Sequence, residues 1–374
     1  MKHILLALLL FVGLQTSAQQ EAKPKSQLTF LFIGDIMGHD TQINSAYNSE
    51  SKTYSYADVI APLEPIIKSV DFAIANLEVT LAGPPFKGYP QFSSPDQLAV
   101  DFKNAGIDVF ATANNHSCDR HKQGILRTID VLDSIGISHL GTYKSQEEKD
   151  RSNPFILEKN NIRVALLNYT YGTNGIPVPK PTIVNLIDKT EITKDIELAK
   201  TKNVDKIIVF MHWGLEYQSE PNQTQVELAN FCISKGADII VGSHPHAIQK
   251  AIWQKANALD ADTLIAYSLG NFVSNQRKPL TDGGMMFQFT IEKTNSSTKV
   301  VDAGYHLTWV NKTQKSGKTK FQILPSAAYE TTPDYFDAPA DFEMMSTFMR
   351  NSRKLMKAQN LNVPEIGPNI PQKL

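Results

Sequence analysis

Ala237-Asp238-Ile239-Ile240-Val241-Gly242-Ser243-His244-Pro245-His246 decides the reading of this chain, because a buried-type apolar strand runs straight into two histidines one residue apart. In an extended segment, positions i and i+2 point to the same side, so both imidazoles would face one site. Working outward, four more apolar runs end in the same way. Residues 31–33 lead to Asp35, 72–75 to Asn76 and Glu78, 109–113 to Asn115 and His116, and 207–211 to His212. In α/β sheets, ligands bind beyond the carboxyl ends of the strands, where loops bring distant residues together. Convergence of carboxylate, amide and imidazole groups at such ends is what a metal-dependent hydrolase needs.

The surrounding pattern alternates short strands with amphipathic helices. Strands are predicted over 28–33, 71–77, 107–113, 164–169, 206–211 and 238–241. Ile125, Leu126, Ile129 and Leu132 fall at helical spacing within 123–135, and Gly136 stops that helix. Residues 224–235 repeat the pattern before Gly236. This alternation predicts an α/β protein with a parallel or mixed sheet covered by helices. After His246 the runs 263–269, 285–292, 300–310 and 320–324 read as successive strands, predicting a second, mainly antiparallel sheet packed on the first. No Pro-, Gly- or Ser-rich linker divides the chain, so 28–330 is read as one domain. Residues 331–374 are read as a C-terminal helix, over 338–356, and a loosely held tail containing Pro364, Pro368 and Pro371.

The first residues read as a delivery signal: Lys2, an apolar run over 4–14, and Thr16-Ser17-Ala18 before the first acid at Glu21. The expectation is a cleaved signal over 1–18, a linker over 19–27, and a periplasmic or secreted protein, with an uncleaved membrane anchor as the competing reading. The 374-residue chain carries 37 basic and 38 acidic side chains. This near-neutral balance argues against nucleic acid as a partner. Cys118 and Cys232 permit at most one disulfide and exclude a disulfide framework. Whether they pair is not legible in the sequence.

Imidazole and carboxylate ligands suit manganese, iron or zinc better than calcium or magnesium. Two such ions held roughly 3.5–4 Å apart could share a carboxylate and activate a water, with one ion as the reduced case. His116 is placed to protonate a leaving group, beside an Asn115 whose amide oxygen can bind metal. His39 and Asn76 are further candidate ligands, against plainer roles at a helix start and a turn. Trp213 and Tyr217 read equally as an aromatic wall or as filling. His121, His139 and His306 read as structural or surface residues, and Cys118 as a small buried thiol. No nucleophile elbow, phosphate-cradling Gly-rich loop or Cys-x-x-Cys competes.

In order along the chain stand Gly34-Asp35-Ile36-Met37, Ala75-Asn76-Leu77-Glu78, Ala113-Asn114-Asn115-His116-Ser117, His212-Trp213-Gly214-Leu215-Glu216-Tyr217, Gly242-Ser243-His244-Pro245-His246 and Ser268-Leu269-Gly270-Asn271-Phe272. Across roughly residues 28–290 this set resembles the CapA-type bacterial capsule synthesis family, associated with poly-γ-glutamate and similar in fold to calcineurin-like metallophosphoesterases. The resemblance implies two packed mixed β-sheets flanked by helices, a four-layer α/β/β/α arrangement. It also implies that Asp35 and His246 bind a first metal, Glu78 bridges, and Asn115, His212 and His244 bind a second. His116 would be the proton donor, and Glu216, Tyr217 and Asn271 would line the substrate cleft.

One departure stands out: the broader phosphoesterases place a histidine where this chain has Met37, a poor ligand for such ions. A weak or empty first site is therefore expected, with His39 as candidate substitute. The functional expectation is an exported hydrolase or transferase acting on phosphoester, ester or amide bonds of an anionic envelope or capsule polymer or its precursor. The alternatives are a non-catalytic scaffold among membrane synthesis and export proteins, or a binding protein that keeps a residual metal site.

Overall fold

The computed structural model describes residues 26–255, 262–295, 297–315 and 317–367. The expected signal segment 1–18 and the end of the tail lie outside them.

The strand Ser26–Ile36 shows why the chain folds as it does. Its side chains alternate between two apolar environments: Phe30 and Phe32 enter a core shared by two sheets, while Leu31 and Ile33 pack under the covering helices. A strand buried on both faces reads as a continuous apolar run, which is what the sequence shows. It pairs parallel with Phe72–Leu77 and antiparallel with Gly283–Lys293. The first sheet continues through Val109–Ala111 and Ser138–Leu140 on one side, and through Thr298–Lys315 and Lys318–Pro325 on the other. The short strand Asn271–Val273 also pairs with Ser26–Ile36.

The second sheet runs Ala251–Gln254, Thr263–Ala266, Ile239–Ser243, Lys206–His212, Ile162–Thr170 and Phe155–Lys159, with its inner strands parallel. Between the sheets, Phe32 meets Phe210 edge-to-face at 5.4 Å. Each such buried aromatic contributes about 1.5–3 kcal/mol through burial. The expected pair of packed mixed sheets flanked by helices is thus the observed architecture.

The partition of strands between the sheets differs from expectation. Thr263–Ala266 joins the parallel strands of the second sheet, whereas the segments after residue 283 extend the first. Local pattern identifies a strand but not its partner, and here Ser26 pairs with Lys293 across the length of the chain.

Two expected helices form at His121–Ser134 and Gln223–Lys235; the second ends at Gly236, whose φ of 107° only glycine adopts easily. The C-terminal helix spans Pro339–Gln359. The segment after it is not loosely held as far as residue 367. Tyr305 N–H donates to Pro364 O at 3.0 Å, Ile366 N–H returns to Tyr305 O at 2.7 Å, and Val363 is buried. Cys118 and Cys232 are free thiols in separate apolar clusters. Burial pushes Cys118 up to about 11, which makes it an inert core thiol.

Candidate metal centre

The carboxyl ends of both sheets deliver the candidate residues to one place. Asp35 sits where the pairing of Ser26–Ile36 with Phe72–Leu77 slips by one residue, a bulge that re-aims its side chain. Gly34 permits this bend because the Gly270 carbonyl oxygen lies 2.1 Å from where a Cβ would stand. Glu78 leaves Phe72–Leu77 directly, its N–H donating to Ile36 O at 3.0 Å. His212 is the last residue of its strand. Asn114, Asn115 and His116 follow Val109–Ala111 in a turn tightened by Ser117, whose hydroxyl accepts from Asn114 N–H at 2.9 Å.

His244 and His246 converge by a route other than strand alternation. Their strand ends at Ser243, and both take positive φ, 99° and 55°. Non-glycine residues reach that region at a cost of about 1–3 kcal/mol each. A tight strained turn, not an extended pair, brings their rings to 5.9 Å.

Glu78 occupies the middle and is fully buried. Its carboxylate forms one potential ligand cluster with His244 and His246 and another with Asp35 and His212, ligand atoms in each lying within 4.8 Å of one another. Glu78 Oε1 is 3.5 Å from His212 Nε2 and 3.9 Å from His246 Nε2. His212 Nε2 also lies 3.0 Å from Asn115 Oδ1. On the other side, His246 Nδ1 stands 3.0 Å from Asp35 Oδ2 and 3.1 Å from Asn271 Oδ1.

Burial sets the protonation of this cluster. It drives His212 well below the usual imidazole range, with His244 adding repulsion, and it takes His244 down to about 3. Both rings are therefore neutral at ordinary pH, the form that binds metal. Burial and the neighbouring Asp35 push Glu78 well above the ordinary carboxylate range. Burial also opposes the charge on Asp35, but hydrogen bonding and attraction from His246, with help from His212 and Ser243, outweigh it and hold that carboxyl low.

Two atoms at the centre, Glu78 Oε1 and His244 Nδ1, are buried without a hydrogen-bond partner. A buried unsatisfied polar atom costs about 1–3 kcal/mol. An acceptor oxygen and a neutral imidazole nitrogen left in this state fit a divalent cation in both chemistry and position.

Several residues take roles other than those expected. Asn76 presents its amide nitrogen to the site, within 2.8 Å of Asp35 Oδ1, 3.1 Å of Ser243 Oγ, 3.3 Å of His212 Nδ1 and 3.4 Å of Glu78 Oε2. An NH2 group has no lone pair to offer a metal, so Asn76 is a donor that holds ligands in place. His39 caps the helix Asp40–Ala46, its Nδ1 lying 3.0 Å from Gln42 Oε1, and it belongs to neither ligand cluster. Asn271 is fully buried and does not line a cleft; it fixes His246 and donates to Gln276 Oε1 and Thr281 O. Met37 packs into the apolar cluster behind the site.

His116 stands in the buried wall with Nδ1 2.8 Å from Asp119 Oδ2 and its ring edge-on to Phe92. Glu216 and Tyr217 are exposed at the mouth, Tyr217 with its ring 6.1 Å from His246. Trp213 is buried and donates to Tyr267 O, so it fills space. His139 pairs with the surface Asp133, and His306 contacts Gln288.

Sequence reasoning missed Ser243, which donates to Asp35, and Asn114, which donates to Asn76 Oδ1 at 3.2 Å. It also missed Asp119 and Tyr171. Tyr171 covers the rings of His244 at 4.6 Å and His212 at 6.3 Å. Its signal was available, since it directly follows the strand Ile162–Thr170 and so obeys the strand-end rule that found the others.

Two packed mixed sheets, with a buried carboxylate and imidazole cluster at their shared strand ends, define the class: an α/β two-sheet protein that carries a candidate metal centre. Within that class the chain belongs to the bacterial capsule synthesis protein family PGA_cap, whose profile matches residues 29–276. It is 28% identical to the capsule biosynthesis protein CapA of Bacillus anthracis over 75% of this chain and 67% of that protein. It is 26% identical to the PGA biosynthesis protein CapA of Bacillus subtilis, over 89% of this chain and 82% of the relative. Among solved structures it resembles the NAD nucleotidase of Haemophilus influenzae, with a TM-score of 0.50 and 12% identity, over 88% of this chain and 61% of the nucleotidase. That likeness concerns the fold.

Proposed function

We propose that this chain is a divalent-metal-dependent hydrolase or transferase that acts on a phosphoester, ester or amide bond in capsule or envelope polymer metabolism. The observation that carries this reading is the pair of ligand clusters sharing Glu78, with Glu78 Oε1 and His244 Nδ1 buried and unpartnered between them. Glu78, His244 and His246 would hold one manganese, iron or zinc ion, while Asp35 and His212 with Asn115 would hold a second. This grouping differs from the one the resemblance implies, which joins His246 to Asp35 and His244 to His212 and Asn115. When bound, such ions supply a Lewis acid and lower the pKa of water.

The remaining roles belong to the chain's own groups. Asp119 accepts from His116 Nδ1–H and fixes the ring, leaving Nε2 to deliver a proton to a leaving group. Tyr171 screens His212 and His244 from bulk water. Glu216 and Tyr217 meet the substrate at the mouth. The relatives' printed roles in capsule and PGA biosynthesis support a capsule polymer or its precursor as substrate. An anionic substrate, and membrane synthesis or export proteins as partners, rest on the sequence reading. The amino-terminal pattern supports export to the periplasm or beyond. Among the described residues no helix is long and apolar enough to cross a membrane.

A second reading, a scaffold with a residual metal site, is favoured by Met37. A buried thioether stands where a ligand would complete the Asp35 side. Metal analysis of residues 19–374, purified without chelator or affinity metal, separates the two. About two ions per chain, lost in the His244→Ala/His246→Ala variant, are expected for the enzyme. No metal after incubation with manganese, iron or zinc would refute it. His116→Ala should then abolish turnover while metal content persists; unchanged turnover would remove His116 from its role.

A further inference from the structure

The mouth of the site holds two opposite charges on one tyrosine. Lys278 Nζ lies 3.6 Å from the centre of the Tyr217 ring, a cation–π contact, and no ion pair to Lys278 is formed among the described residues. Glu216 sits at the hydroxyl end of the same phenol; burial and that carboxylate push Tyr217 up to about 12. Glu216 directly precedes Tyr217, so the same backbone segment holds it beside the His244–His246 turn.

Both charges are tied by the backbone to the histidines. Tyr217 N–H donates to Pro245 O at 2.7 Å, between His244 and His246. Lys278 rides on the loop that Asn271 grips through Gln276 and Thr281, and the same Asn271 fixes His246 through its oxygen. Lys278 is therefore not a loose surface lysine but the tip of a loop anchored to a residue that also positions a candidate ligand.

A substrate that is anionic throughout would meet Glu216 as a repulsive neighbour, and one that is cationic would meet Lys278 in the same way. A group carrying both charges close together meets neither penalty and replaces hydration at both ends. We infer that the mouth reads an amino-acid-type zwitterion, a substrate end with a free ammonium on Glu216 and a free carboxylate on Lys278, set against the Tyr217 ring one ring's distance from His246. This inference rests on the proposed reading and specifies it: the site would work on chain ends or free amino-acid conjugates, not on the interior of a uniformly charged polymer.

The test is calorimetric binding of O-phospho-L-serine to manganese-incubated protein, beside its N-acetyl derivative and its α-amide, with metal content measured on the same samples. The parent compound should bind, and each derivative should bind roughly fivefold to tenfold more weakly. Lys278→Met should erase the difference between parent and α-amide only, and Glu216→Gln the difference between parent and N-acetyl compound only. Failure of the parent to bind, equal binding of all three compounds to the native protein, or discrimination that survives both substitutions would overturn the inference. Metal present without discrimination removes the zwitterion reading alone; discrimination without metal removes the metal reading alone.

Discussion

The two flanks of Glu78 differ in how completely the folded protein satisfies them. On the Asp35 flank, Oδ1 accepts from Asn76 and Ser243, and Oδ2 from His246, so both oxygens are engaged. On the His244 flank, His244 Nδ1 and Glu78 Oε1 have no hydrogen-bond partner, although Glu78 Oε1 lies 3.5 Å from His212 Nε2. The first flank is a closed hydrogen-bond network. The second carries a cost of about 1–3 kcal/mol per unpaired atom that a bound cation would offset. The contrast orders the two flanks: a cation on the His244 side relieves unpaired atoms, whereas one on the Asp35 side must displace hydrogen bonds already made, with no imidazole at Met37 to help.

The largest effect that can break this contrast lies at Glu78 itself. Glu78→Gln keeps the shape but removes the shared charge, and metal affinity should fall by at least about 100-fold. The metal-free variant should nevertheless unfold at a higher temperature than the native protein, because a buried carboxylate beside Asp35 has been neutralised. Thermal melts across a manganese titration read both quantities, since ligand stabilisation scales with the logarithm of concentration over Kd. A native-sized metal shift in the variant would mean that the ion, if any, sits elsewhere.

Met37→His comes next and asks whether the Asp35 flank can be opened. The side chain is buried among apolar neighbours, and its N–H is fixed to Val273 O at 2.9 Å. A histidine there should cost about 2 kcal/mol through lost burial and an unpaired polar ring. The hold on the second ion should not tighten. A tighter hold on the second ion in a manganese titration would show that side-chain identity alone, not packing, limits that flank.

Asn271→Ala is smaller and sharpens the comparison, because Asn271 serves the outer side of His246. Losing a hydrogen bond that orients a ligand ring costs about tenfold in metal affinity. The same change frees the loop that carries Lys278. Metal affinity and O-phospho-L-serine affinity should therefore fall together. A fall in only one of them would uncouple the loop from the histidine.

How much of this was legible follows from what local pattern encodes. Asp35, Glu78, His116, His212, His244 and His246 were found because each follows an apolar run, and burial on both faces of a strand writes itself into sequence. Sheet membership was not legible, since Gly283–Lys293 pairs with the first strand while Thr263–Ala266 joins the other sheet, and no local signal separates them. The turn at His244 and His246 was misjudged because positive φ at histidine has no sequence mark comparable to glycine. Asn76 and Asn271 were recognised as polar groups near the site. Which atom of an amide faces inward depends on the groups around it: Asn114 draws the Asn76 oxygen away, and Thr281 draws the Asn271 nitrogen.

The smallest predicted effect lies outside both flanks and serves as their control. Arg353 reaches Glu330 at 2.6 Å and Glu365 at 2.7 Å, tying the Pro339–Gln359 helix to the segment after it. Its hydrogen bonds hold the Glu330 carboxyl below the ordinary range. A carboxyl depressed in the folded state contributes stability above its unfolded pKa, and that contribution is lost as pH falls through the folded value. Because these groups are partly exposed, solvent screening keeps the gain to about 1 kcal/mol. Arg353→Ala should therefore lower the melting temperature modestly at neutral pH and narrow the gap from native protein as the pH drops below about 4. Metal affinity should stay the same. A change in metal affinity in this variant would mean that the C-terminal helix is coupled to the metal cluster, and the orphaned atoms could no longer be treated as a local property of the His244 flank.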